Sequence, residues 1–172
     1  LVDVVGAYPG IGAEERGQGL VIAECIRTMS YLPTKIVCVI TGEGGSGGAL
    51  AIGVGNKVLM LEHAWYSVIS PEMCANILWK DSSRAPEAAA LLKLTAQDLS
   101  NFGVIDEVIQ EPLGGAHRNP DEAAENVKQG ILNALAELDG MSPDELVHTR
   151  LEKFRKIGKL VENVELASLG ME

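Results

Sequence analysis

The densest chemical signal is Gly42-Glu43-Gly44-Gly45-Ser46-Gly47-Gly48, set between the apolar run Ile36–Ile40 and the helix-like Ala49-Leu50-Ala51-Ile52. Glycines leave main-chain N–H groups open to a ligand, and a helix starting there adds unpaired donors at a positive dipole end. Such a turn suits an electron-rich atom, and several uses fit it. Gly42-x-Gly44-x-x-Gly47 after a strand matches a dinucleotide fingerprint, with Glu62 at the distance of a ribose-binding acid. Gly44-x-Ser46-x-Gly48 matches a nucleophile elbow, with Asp106 and His117 following in the order of a serine hydrolase. In a third use, Gly44 and Gly45 present N–H groups to a carbonyl oxygen that turns negative during reaction, and Ser46 need only be small. A fourth is plain close packing of helix on strand. A phosphate-binding P-loop is excluded, because no Gly-Lys-[Ser/Thr] is present.

The elements that must position this run follow an α/β order. Leu1–Val5 reads as a buried strand, and Gly6–Gly12 as a loop punctuated by Gly and Pro. A helix is predicted from Ala13 to about Tyr31, and a buried parallel strand over Ile36–Ile40. Further strands are predicted over Val58–Leu61, Trp65–Ile69 and Val104–Ile109. Helices are predicted over Pro71–Trp79 and Ala85–Leu92, and a short one opens at a Thr95 cap and ends near Phe102. Asn119-Pro120 and Ser142-Pro143 open two later helices, running to about Leu138 and Ile157. The tail from Lys159 is expected to fray. Residues 1–139 are assigned to the core, and 140–172 to a C-terminal helix and tail. The strand-like start at Leu1, with no initiator Met and no polar lead-in, predicts missing upstream sequence.

Composition narrows the class. The 172 residues carry 14 basic and 24 acidic side chains, a formal net charge of −10. A pI near 4.8 argues against duplex nucleic acid as a partner. No apolar run approaches the roughly 18–20 residues of a membrane span. Cys25, Cys38 and Cys74 have neither disulfide-framework nor zinc-ribbon spacing, so buried thiols in a reducing cytoplasm are expected. No metal site is expected. Twelve of the 19 glycines precede residue 56, so the first half reads as a glycine-worked core.

Four separated stretches carry a resemblance. They are Gly6–Gln18 (GAYPGIGAEERGQ), Gly42–Gly53 (GEGGSGGALAIG), Ser67–Glu72 with Ile77–Lys80 (SVISPE, ILWK), and Glu111–Arg118 (EPLGGAHR). In this order they resemble the carboxyltransferase α-subunit family of bacterial-type acetyl-CoA carboxylase. The resemblance covers about residues 1–150. The family's usual Thr-Pro ahead of Gly-Ala-Tyr is Val4-Val5 here, a change that relaxes the entry to the loop.

The resemblance implies an α/β fold of the crotonase (ClpP-like) superfamily: stacked ββα units, here N-terminally incomplete and followed by C-terminal helices. It implies transfer of a carboxyl group from carboxybiotin, on the biotin carboxyl carrier protein, to acetyl-CoA. The product is malonyl-CoA for fatty acid synthesis. It implies an α2β2 assembly with a β subunit that holds acetyl-CoA and a zinc ribbon, no covalently bound cofactor on this chain, and ATP use by a partner biotin carboxylase. Gly44 and Gly45 become the oxyanion donors. Tyr8, Pro9 and Gly10, with Ser46 and Gly47, become the carboxybiotin side. Ordinary roles outweigh functional ones for His63, His148, Lys80, Arg84, Trp65, Trp79 and Met73. His117 and Arg118 are placed either on a partner or in a turn. An assembly subunit without catalysis, and a serine hydrolase using Ser46, are the alternatives.

Overall fold

The computed structural model describes residues 1–158. Five strands run through them: β1 Val2–Val4, β2 Val37–Gly45, β3 Lys57–Leu61, β4 Trp65–Ser67 and β5 Glu107–Ile109. The helices are α1 Ile11–Glu15, α2 Gln18–Tyr31, α3 Ser46–Leu50, α4 Pro71–Trp79, α5 Ala85–Leu92, α6 Ala96–Asn101, α7 Pro120–Glu137 and α8 Pro143–Lys156. The pairings between these strands are all parallel, in the order β1-β2-β3-β5. Parallel strands covered on both faces need continuous apolar runs. Cys38, Val39 and Ile40 of β2 and Val58 to Leu61 of β3 meet that need and are buried in one core with Val2, Ile105 and Ile109.

β2 is longer than its apolar run and changes partner along its length. Val37–Ile40 pair with Lys57–Met60 of β3, and Glu43–Gly45 then pair with Trp65–Ser67 of β4. On the other side Val2 lies opposite Ile40, and Val4 opposite Gly44. The predicted glycine turn is therefore strand up to Gly45, and the chain turns at Ser46 (φ 51°).

Other boundaries move for local reasons. The single helix expected over Ala13–Tyr31 is two, broken at Gly17, whose φ is 77°. The strand expected over Trp65–Ile69 stops at Ser67, whose Oγ donates to Ile69 O at 2.8 Å and turns the chain. The last strand starts at Glu107, not Val104. Ahead of it, the Asp106 carboxylate accepts the Val58 N–H at 2.7 Å in place of a main-chain partner. Helix starts follow the expected caps. Thr95, Asn119 and Ser142 each accept an N–H from the first turn of their helix, Ser70, not expected as a cap, does the same for α4, and Ser142 with Glu145 forms a complete capping box.

Helix α8 reaches into the core built by the preceding residues. Leu146 is buried, and Arg150 is wholly enclosed. The Arg150 guanidinium donates to the main-chain oxygens of Met29, Ser30, Leu32 and Thr34 and to Asn56 Oδ1. These carbonyls lie at and just past the C-terminal end of α2, where a helix leaves acceptors unpaired and favours a cation. The predicted tail from Lys159 lies outside the described residues.

Candidate functional site

Three segments converge where β2 ends. The base of the 6–12 loop lies against Gly45 and Ser46: a Cβ on Gly6 would stand 3.8 Å from Gly45 O and 3.9 Å from the Ser46 Cβ. This contact demands glycine on the other side. A Cβ on Gly45 would lie 1.9 Å from the Val5 carbonyl oxygen, and one on Gly48 would lie 2.8 Å from Gly6 C and 2.9 Å from Ala7 N. No side chain fits there without moving backbone. Gly44 is closed from the other face, where a Cβ would meet the Tyr66 ring at 2.8 Å. Gly44 and Gly45 are thus buried, paired residues, whereas Ser46 is exposed and Gly47 half-buried.

Beside this junction lies a pocket of about 360 Å³, mostly apolar. Ser46, Gly47 and Leu50 line one side, Tyr66, Ser67 and Val68 of the β4 segment another, and Leu92, Leu99 and Val104 the floor. Burial, with a smaller contribution from the Cys38 thiol, holds the Tyr66 phenol above its ordinary pKa, so it stays a neutral hydroxyl. Gly47, as the second residue of α3, has no intrahelical acceptor for its N–H. The junction therefore sets a main-chain donor beside a mostly apolar pocket.

The sequence-assigned residues divide. Gly44, Gly45, Ser46 and Gly47 stand together at the junction, and Tyr8, Pro9 and Gly10 follow in the loop whose base, at Gly6 and Ala7, meets it. The hydrolase trio does not assemble. Asp106 stands opposite Val58, next to the start of the β2–β3 ladder, whereas Ser46 follows the other end of β2. Cys38, beside Val58, precedes Ser46 by eight positions, or roughly 25 Å of strand. Asp106 is also paired with Lys153. The dinucleotide match fails as well, since Gly42 and Gly44 are strand residues and α3 has five residues.

Outside the junction most of the singled-out residues lie on turns and helix surfaces. The Glu111 carboxylate accepts from His63 N at 2.9 Å and from Ala116 N at 2.7 Å, bracketing the Pro112–Arg118 loop. Gly114 and Gly115 turn that loop at φ values of 89° and 98°, which favour glycine, and leave His117 and Arg118 exposed. Arg84 lies 4.0 Å over the Trp79 ring and forks onto Glu87, while Lys80 closes α4 with φ 58°. His148 is on the exposed face of α8, and Met73 is half-exposed on α4. Cys25, Cys38 and Cys74 are free thiols. Among the described residues no three His, Cys, Asp or Glu side chains gather as metal ligands, and no helix is long and apolar enough to cross a membrane. Sequence reasoning gave no role to Gln18, Glu111 or Tyr66; the first two lay inside quoted motifs, but nothing in the sequence says what their side chains hold.

Residues 1–158 match the model of the family described as acetyl co-enzyme A carboxylase carboxyltransferase-like. The chain is 58% identical, over 94% of its length and 52% of the relative's, to an acetyl-coenzyme A carboxylase carboxyl transferase subunit alpha of Thermus thermophilus. It is 55% identical to the protein of that name from Rhodopirellula baltica, again over 94% of its own length and 51% of the relative's. It spans about half the length of these curated relatives. Among solved structures, a chain of a Pseudomonas malonate decarboxylase hetero-tetramer aligns at TM-score 0.69 and 17% identity, covering 87% of this chain and 58% of that one. The transcarboxylase 12S core aligns at TM-score 0.62 and 21% identity, covering 80% and 26%. The parallel sheet, its helices and these neighbours make this the expected crotonase fold, and the chain belongs to the family of acetyl-CoA carboxylase carboxyltransferase α subunits.

Proposed function

We propose that this chain supplies the carboxybiotin side of a transfer site in acetyl-CoA carboxylase. Carboxybiotin, on the biotin carboxyl carrier protein, gives its carboxyl group to acetyl-CoA, and malonyl-CoA leaves for fatty acid synthesis. A partner biotin carboxylase loads the biotin with ATP. A β subunit completes the site in an α2β2 assembly, in the cytoplasm, and neither chain turns over alone.

The chemistry needs donors, and needs no protein base. The N–CO2 bond of carboxybiotin breaks, and its electron pair moves onto the ureido group, whose oxygen becomes negative. The biotin anion takes a methyl proton from acetyl-CoA, and the resulting enolate attacks the released CO2. Each removed oxyanion donor costs such a step about 2.7–4 kcal/mol, or roughly 10²–10³ in rate. Gly44 and Gly45, the donors expected from the resemblance, are paired in the sheet and hold the start of α3 in place, so the open donor is assigned to the Gly47 N–H. Tyr8, Pro9 and Gly10 wall the ring beside Ser46. The observation that carries this reading is the convergence of the 6–12 loop on the β2–α3 junction next to an apolar pocket.

One observation favours a second reading, an assembly subunit without catalysis: packing alone explains glycine at 45 and 48. The two separate in one assay. The full-length chain, with and without its β subunit, is followed for malonyl-CoA-dependent carboxylation of free biotin. Activity only with both chains is expected. No activity in a confirmed assembly would refute the carboxyltransferase reading. Ser46→Gly suits the positive φ and removes the hydroxyl; it should keep activity within about three-fold, and the parent should take no fluorophosphonate label on Ser46.

A further inference from the structure

We propose that Gln18 is a positioning residue for the carboxybiotin side: its side-chain amide fixes the main chain of Tyr8 and thereby holds an exposed aromatic ring on the loop whose base meets the Ser46 junction. The proposal rests on the reading that this junction is the transfer site. Gln18 is the first residue of α2. With its amide nitrogen toward Tyr8 O and its oxygen toward Tyr8 N, it makes one bond of 3.0 Å to each. Donating to and accepting from the same residue reproduces the exchange of a hydrogen-bonded antiparallel pair. A side chain here does the work of a neighbouring strand.

Further restraints act on the same residue. Gly10 N–H donates to the same Tyr8 carbonyl at 3.0 Å, across Pro9, whose ring fixes its own φ. The Tyr8 ring lies across Gly10 so closely that a Cβ there would stand 2.2 Å from Cε1. Yet Tyr8 is 71% exposed. Exposed loop residues are ordinarily the mobile part of a fold. Holding one by a paired amide, a tight turn and a glycine platform buries little apolar surface, so core stability does not account for the arrangement. Its effect is to fix where a flat apolar wall stands. The base of the loop, two residues earlier, meets Gly45 and Ser46, so the wall is tied to the oxyanion end of the site. A flat bicyclic ureide is the ligand class such a wall suits.

The test uses the full-length chain assembled with its partner subunit, with free biotin and malonyl-CoA as substrates. Gln18→Leu removes donor and acceptor together. We expect a roughly three- to ten-fold rise in KM for biotin, with kcat and KM for malonyl-CoA changed less than two-fold, since only the ordering of the biotin wall is lost. Tyr8→Ala should raise the biotin KM similarly, and the double variant should be no worse than Tyr8→Ala alone. Independently of turnover, hydrogen exchange should find the Tyr8 amide protected in the parent and unprotected in Gln18→Leu. An unprotected Tyr8 amide in the parent overturns the clamp. An unchanged biotin KM in Gln18→Leu, in a complex that otherwise turns over, overturns the positioning role alone. A parent complex with no transfer at all overturns the carboxyltransferase reading and this proposal with it.

Discussion

Arg150 is where the fold is most open to a quantitative test. The residue is completely enclosed and has no carboxylate partner among its hydrogen bonds; main-chain carbonyls and one amide oxygen take all of its donors. Arg150→Met keeps much of the volume and removes every donor. Not every acceptor is then orphaned. Leu32 O still receives Thr34 N–H at 2.8 Å, and Asn56 Oδ1 still receives Ile36 N–H at 3.1 Å. The close contacts left without that donor are Met29 O, at 2.5 Å, and Thr34 O, at 2.6 Å. A fully buried polar group stranded in this way costs about 1–3 kcal/mol, and these two carbonyls are part-buried, so together they cost at most about 2–6 kcal/mol. Set against a usual domain stability of about 5–15 kcal/mol, that is a large share. Guanidinium unfolding of the full-length chain should show a lower midpoint at unchanged slope. Arg150→Lys, which keeps the charge but not the planar fork, should recover only part of the loss. A loss under about 1 kcal/mol for Arg150→Met, below the cost of even one stranded carbonyl, would refute the reasoning.

Two further expectations concern the junction and the last helix. Gly45→Ala should destabilise the chain by at least about 3 kcal/mol or abolish soluble expression, because its Cβ meets the Val5 backbone; Gly47→Ala, whose Cβ would meet only Ile22 at 3.7 Å, should unfold with the parent midpoint. Equal midpoints for both variants would contradict the packing described here. The Glu145 carboxyl is held below its ordinary pKa by the N–H and then the hydroxyl of Ser142. A carboxyl with a lowered folded-state pKa adds stability that is complete above its unfolded-state value and is lost as pH falls through the folded one. Ser142→Ala should therefore lower Tm by about 2–4 °C at neutral pH, and that gap should narrow as pH drops through and below the ordinary glutamate range, leaving the part due to the hydroxyl's bond from Glu145 N–H, which does not titrate. A gap that stayed constant down to pH 3 would remove the capping box from the account.

Much of the frame was legible because local chemistry agreed with the tertiary outcome. Pro71–Trp79 and Ala85–Leu92 have the bounds that their proline starts and apolar spacing predict. The Asn119 and Ser142 caps open α7 and α8 where capping chemistry requires. What failed locally was decided by distant neighbours. Asp106 reads as a solvated edge acid or a triad member until Val58, 48 positions away, brings it an N–H. Nothing local to Arg150 marks it out, and only the folded chain surrounds it with carbonyls from the end of α2. The break at Gly17 was written in the sequence as a glycine, yet a continuous amphipathic pattern overrode it.

The glycine run was ambiguous for a deeper reason. A dinucleotide turn, a nucleophile elbow, an oxyanion hole and a close backbone crossing all ask for the absence of Cβ, so residue type alone cannot separate them. The deciding fact is which neighbour occupies the space. At Gly45 and Gly48 it is backbone from Val5 to Ala7, and that same loop continues into Tyr8, Pro9 and Gly10. Bringing this loop within reach of the β2 end is possible only without side chains at 45 and 48. Packing and function are therefore not rival explanations of these glycines. The close crossing that requires them ties the base of the loop that carries Tyr8 to the α3 start, and on the proposed reading a side chain introduced at either position would separate the two halves of the site before it touched any substrate.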